Sequence, residues 1–396
     1  MSAESMRYDA THIAVLEGVQ AVRKRPGMYV GSTGQRGLYH LVLDVVDRAV
    51  SEVLAGRARS VDVTLTADGG VRVADDGAGG GEPHGPGLEA QLTSFHVGPG
   101  PVGRRTAVIA FLNLGLFVAN ALSSRLTAEV RGEARGEGTR WVKEYARGVE
   151  VERPDSEGPL TGGVGSPTGR GTTISFWPDT EIFETTWCSF PVLAERFRQL
   201  AFLNRGLAIS LTDERPADGV RAVLYRFPDG VRDFVAALDA ETEKGAAHQS
   251  DVFGFEREDE AMAGAMEVAL LWGRSRRPQI RGFANSLATH EGGTHVDGFR
   301  DGVVAAVTAF ARERELAAAS DLDACADRIV EGLTAVVSVK LDQPEYLGAT
   351  RTLLGNPTVR VRVAEAVREH LGTWFEERPE RAADIVAGIV RDISQD

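Results

Sequence analysis

Residues 37–77 constrain the fold more than any other stretch. Apolar side chains recur at three- and four-residue intervals through "GLYHLVLDVVDRAVSEVLAG", which spells an amphipathic helix stopped by Gly56. "VDVTLTADGGVRVADDG" (61–77) then alternates apolar and polar residues around an Asp-Gly-Gly turn, the pattern of a β-hairpin. A helix feeding directly into an antiparallel hairpin lacks the strand–helix–strand rhythm of a parallel sheet, so an α+β layering is expected.

The rest of the chain extends this pattern. Helical spacing also marks 12–23 and 192–204, and strands are expected at 124–132, 139–147, "TTISFWP", "LAISLTDE" and "VRAVLYRFP". A boundary is placed near residue 228, giving one domain over 1–228 and a second over 229–396. The second half reads as a hairpin over 265–284, a helix over 295–313, a strand over 333–341 and helices from about 356. "AVIAFLNLGLFVANAL" (107–122) is apolar, but it falls short of the roughly 20 residues of a bilayer span and carries Asn113 and Asn120. It reads as a buried helix, with no membrane partner.

Composition removes several classes. A formal charge of −13 argues against a surface that coats DNA indiscriminately, while leaving room for a local basic groove. Cys188 and Cys325 lie far apart, which excludes a disulfide framework, and no secretory start precedes residue 12. A cytoplasmic protein is expected. His96, His290 and His295 lack metal-ligand spacing, and no GxSxG, HExxH or GxxxxGK[ST] motif is present. "GPGPVG" (98–103) matches GxGxxG in form only, because Pro99 and Pro101 lack the N–H donors of a phosphate cradle.

Six segments in fixed order carry a family resemblance. They are "VLEGVQAVRKRPGMYVG" (15–31), "VVDRAVSEVLAG" (45–56), "VADDGAG" (73–79), "GTTISFWP" (171–178), "EGGTHVDGFR" (291–300) and "EGLTAVVSVKL" (331–341). Together they resemble the ATPase and transducer domains of the DNA gyrase B/topoisomerase IV family, within the GHKL ATPases. The resemblance implies a GHKL (Bergerat) α/β sandwich followed by a transducer of ribosomal-protein-S5-like fold. It also places Asp396 near the end of the transducer, so that these residues would carry no DNA-cleavage (TOPRIM) module.

The resemblance assigns roles one position at a time. Asp75, with Gly77 beside it, matches the aspartate that accepts the exocyclic amine of adenine, and Thr172 matches the assisting threonine. On residues alone Asp75-Asp76-Gly77 is equally a turn closing a strand. The base-reading end of the pocket is expected to be intact.

The catalytic end departs from the family. Asp44 stands where relatives carry a glutamate that polarises the attacking water, and one methylene less leaves it roughly 1 Å short, enough to cost about 10²-fold in rate. Arg48 stands where relatives carry a magnesium-binding asparagine, and a guanidinium neither ligates nor tolerates the ion. Asp44, Arg48 and Glu52 share one helix face, so a salt-bridge ladder between them is the plainer reading. Only Gly115 of the family's glycine-rich phosphate lid survives, in "AFLNLG" (110–115). Arg351 stands at the lysine that reaches the terminal phosphate, and Tyr8 lies in the arm that crosses to a second copy of the chain in the family.

Three functions are therefore expected in competition. One is a gyrase B-like homodimer that binds ATP or ADP weakly or without magnesium and hydrolyses little. Another is a slow ATPase using Asp44 and Arg351. The third is a non-enzymatic protein that binds DNA, modulates host gyrase or sequesters inhibitors; the arginine cluster "WGRSRRPQIRG" (272–282) motivates the DNA version and is equally a solvated hairpin.

Overall fold

The computed structural model describes residues 17–77, 87–95, 115–134, 137–152, 170–242, 252–273, 278–316, 326–348 and 352–393. Two sheets organise them. The first has eight strands: β1 (Ser60–Leu65), β2 (Val71–Asp75), β3 (Ser123–Ala134), β4 (Glu137–Ala146), β5 (Val149–Glu150), β6 (Gly171–Pro178), β7 (Ala208–Asp213) and β8 (Arg221–Tyr225). Their spatial order is β5-β4-β3-β6-β2-β1-β7-β8, and every neighbouring pair is antiparallel except β1 and β7.

Six helices line this sheet: α1 (Gly18–Lys24), α2 (Gly27–Val30), α3 (Gln35–Leu54), α4 (Leu88–Thr93), α5 (Leu116–Ala121) and α6 (Phe190–Leu203). The helical spacing read in α3 is the burial pattern: Leu38, Leu41, Val42, Val45, Val46, Ala49 and Val50 are all buried against the sheet. On β2, Val71, Val73 and Asp75 alternate inward. The strand period therefore carries the Asp75 carboxylate to the core side, beneath α3.

A second sheet contains β9 (Phe253–Asp259), β10 (Gly264–Trp272), β11 (Gln279–Ala284), β12 (Leu287–Ala288) and β13 (Leu333–Leu341), ordered β12-β11-β13-β10-β9. The expected hairpin over 265–284 does not form. β10 and β11 are separated by β13, antiparallel to the first and parallel to the second. The reason is burial: Val336, Val337 and Val339 of β13 are fully inaccessible, and an apolar run of this kind belongs at a sheet centre. A short pair, β14 (Tyr346–Leu347) and β15 (Leu353–Leu354), follows.

One face of this sheet is covered by α8 (Thr294–Glu313), α10 (Pro357–Glu377) and α11 (Pro379–Ile393), with α9 (Ala326–Ile329) at the margin. α8 and α10 approach so closely that a Cβ on Gly298 would lie 2.2 Å from the Arg360 carbonyl. The other face takes α7 (Val231–Thr242) and the end of α6, through Phe202, Phe234 and Phe283. Among the described residues no helix is long and apolar enough to cross a membrane.

Candidate functional site: the Arg48–Asp75–Thr172 cluster between α3, β2 and β6

Antiparallel pairing puts Asp75 at the end of β2 directly opposite Thr172 on β6. Their close approach depends on Gly171, at φ +137°, where a Cβ would lie 2.0 Å from the Asp75 carbonyl oxygen. Only glycine is at ease there. The Gly77 N–H donates to Asp75 Oδ1 at 3.0 Å and fixes the carboxylate plane. Asp76 serves the backbone: its Oδ1 accepts the N–H groups of Arg59 and Ser60 at 2.7 and 2.9 Å. Of the two carboxylates, Asp76 closes the turn and Asp75 faces the core side of the sheet.

Arg48 does not make the expected ladder. Its guanidinium crosses from α3 to the sheet, where Nη1 donates to Asp75 Oδ2 at 2.5 Å and Nη2 donates to Thr172 Oγ1 at 3.0 Å. The Asp75 side chain is 1% exposed and that of Arg48 12%. A guanidinium is a planar fork, and two oxygens side by side on adjacent strands match it better than carboxylates stacked along a helix. Glu52 pairs instead with Arg57, whose Nε donates at 2.8 Å and Nη2 at 3.2 Å. Arg57 follows the helix stop at Gly56, so its contact depends on a turn that helical spacing does not reveal.

The electrostatics follow from this arrangement. Burial pushes the Asp75 carboxyl up from the ordinary carboxylate range; Arg48 and the Gly77 N–H pull it back, and Glu52 pushes upward. The short contact to a guanidinium favours the ionised form, so we read Asp75 as a carboxylate at neutral pH. Both residues expected at a base-reading end, Asp75 and Thr172, lie side by side here, and both are bonded to Arg48.

Asp44 is buried on the same helix, one turn before Arg48. Gly115, at φ +75°, is the residue before α5, so the helix expected over 107–122 does not run through it. Phe117 in the first turn of α5 packs edge-on against Phe95 at 5.6 Å, and Phe95 against Tyr29 at 5.8 Å. This aromatic group was not foreseen, although Phe117 was visible within the apolar run. Tyr8, Arg351, residues 110–114, "GPGPVG" and the arginines at 274–277 lie outside the described residues.

Among the described residues no group of three or more His, Cys, Asp or Glu could hold a metal.

Comparison with known proteins agrees with the fold. A family model described as DNA gyrase B matches residues 230–395. The chain is 42% identical over 408 residues to the DNA gyrase B protein of Streptomyces coelicolor, covering 96% of this chain and 57% of that protein. It is 37% identical over 414 residues to the Mycobacterium tuberculosis gyrase B protein, covering 96% and 59%. The 43K ATPase domain of Thermus thermophilus gyrase B, in complex with an aminocoumarin, superposes with a TM-score of 0.76 at 29% identity, covering 95% of this chain and 94% of that one. The topoisomerase IV ATP-binding domain of Francisella tularensis gives a TM-score of 0.71 at 26% identity, covering 96% and 98%. Spanning somewhat more than half the length of these curated relatives, the chain belongs to the DNA gyrase B family, with its GHKL ATPase and transducer domains.

Proposed function

We propose that this chain is a cytoplasmic, homodimeric gyrase B-like ATPase–transducer pair that has lost conventional magnesium-dependent ATP turnover. One observation carries the reading: a guanidinium, held by Asp75 and Thr172, stands on the helix position where the family binds its metal. A fixed positive charge there repels a divalent ion and gives it no ligand. Asp44 supports the same conclusion. It is a buried carboxylate one methylene shorter than the family's base. At the phosphate end, Phe117 fills the first turn of α5 with a packed ring.

Adenine nucleotides accordingly bind weakly and without help from magnesium, and strand passage is not an activity of residues 1–396 alone. The domains are taken as 1–228 and 229–396, and dimerisation as a property of the N-terminal arm with Tyr8. The deciding measurement is phosphate release at saturating MgATP, expected to stay at background. Steady release of about 0.01 s⁻¹ or more, abolished by Asp44→Asn, would establish the slow-ATPase alternative with Asp44 as base.

A further inference from the structure

We propose that Arg48 is a built-in occupant of the base pocket, taking the acceptors that an amino-bearing base edge needs, so that adenine enters only when Arg48 is displaced. This rests on the reading of Asp75 and Thr172 as the base-recognition pair, and goes beyond it by assigning Arg48 the control of specificity.

Both oxygens of the Asp75 carboxylate are engaged: Oδ1 accepts from the Gly77 N–H at 3.0 Å and Oδ2 from Arg48 Nη1 at 2.5 Å. Thr172 Oγ1 accepts from Arg48 Nη2 at 3.0 Å. An exocyclic amine offers N–H donors to the same two oxygens, so guanidinium and base compete for identical partners.

The competition is unequal. Arg48 is a cation covalently delivered to the site, and adenine is a neutral donor arriving from solution. Displacement exchanges a buried charge pair for a neutral hydrogen bond and leaves Asp75 without its counter-ion. The strand pairing sets the two acceptors side by side, and the Gly77 N–H fixes the Asp75 carboxylate. An apparent affinity lowered by about 10²–10³-fold follows from the cost of separating a buried pair.

Calorimetry with adenosine, ADP and ATP, each with and without magnesium, on wild type, Arg48→Asn and Arg48→Lys tests this. Adenosine isolates the base pocket from any phosphate contact. Wild type is expected to show no adenosine binding in the micromolar range, and Arg48→Asn to gain about 100-fold or more. Arg48→Lys keeps a charge against Asp75 but frees Thr172, so a smaller gain is expected; it serves if Arg48→Asn does not fold. Micromolar adenosine binding by wild type overturns the proposal, as does a folded variant that gains nothing. A wild type that binds ADP tightly yet releases no phosphate sinks this inference and the weak nucleotide binding with it, and leaves the loss of turnover standing. A wild type that hydrolyses ATP sinks the functional reading.

Discussion

Removing the Arg48 side chain is the sharpest perturbation of the pocket. In Arg48→Ala the Asp75 carboxylate, 1% exposed in the wild type, keeps the Gly77 N–H but loses its counter-ion. Stripping the partner from a buried charge costs about 3–5 kcal/mol when the charge persists. Asp75 has an escape, since a proton can replace the guanidinium at about 1.4 kcal/mol per unit between the pH and the ordinary carboxyl pKa of about 3.9. At pH 7.5 that route costs about 5 kcal/mol and brings no relief, so the expected loss stays at about 3–5 kcal/mol. Burial already holds the Asp75 pKa above its usual value, and removing Arg48 raises it further. For a carboxyl raised in the folded state, the folded form binds the extra proton, so stability is lost as pH rises through the folded pKa and recovered below it. The variant should accordingly approach wild type at pH 5, to within about 1.5 kcal/mol. Urea unfolding at pH 5 and 7.5 measures this. In an Asp75→Asn background the same Arg48→Ala step should cost no more than about 1 kcal/mol at either pH. A single variant as stable as wild type at pH 7.5, or equally destabilised at both pH values, refutes the argument.

Other expectations rest on single contacts. Gly171→Ala should cost more than about 3 kcal/mol in a thermal melt, because its Cβ has 2.0 Å to the Asp75 carbonyl and its φ of +137° is strained for any side chain. Phe117→Ala should cost about 3 kcal/mol by urea unfolding, since the ring is 3% exposed and packed on Phe95; it should not by itself restore phosphate release. His295 is fully buried and its pKa is lowered to about 3 by burial. The unfolded imidazole takes a proton near pH 6.5 and the folded one does not, so stability is lost as pH falls from about 6.5 toward 3, and His295→Gln should flatten that limb of an acid titration.

The fold was legible wherever burial follows a local period. α3, the hairpin of β1 and β2 and α8 needed only spacing of 3.6 or 2, and the strand 333–341 an unbroken apolar run. The misreading at 265–284 shows the limit: β10 and β11 are consecutive in sequence, yet β13, some fifty residues later, inserts between them. Periodicity assigns a strand but not its neighbour. The site failed in a similar way. Asp44, Arg48 and Glu52 share a helix face, and helical geometry alone pairs them. A better-matched acceptor set for Arg48 was created by tertiary packing, from two strands about a hundred residues apart. Packing decided over sequence proximity, because the sheet sets two acceptors within reach of both ends of one guanidinium fork.

The pocket helix also reaches the second sheet through a buried polar path, which yields a last prediction. Asp47, next to Arg48, is the carboxylate that supports the charge of the half-buried Arg196 on α6, against desolvation. Arg196 Nη2 donates to the Ser286 carbonyl at 3.5 Å, and Asn204 Nδ2, two turns later on the chain, donates to Ser286 Oγ at 3.1 Å. Ser286 and Asn285 form a buried turn with φ of +69° and +48°, unusual for side-chain-bearing residues. That conformation lets the Asn285 amide imitate a strand: Nδ2 donates to the Leu341 carbonyl at 3.0 Å and Oδ1 accepts the Leu341 N–H at 2.7 Å. Asn285→Ala orphans both buried groups and places alanine at a positive φ, for a loss of about 2–4 kcal/mol. Because Leu341 ends β13, amide exchange should quicken across the end of that strand and the chain after it. Asn285→Gly relieves the backbone strain but not the lost bonds, and should recover only a minor part of the stability. Full rescue by Asn285→Gly would show that the left-handed turn, and not the amide bridge, joins the first sheet's helix to β13.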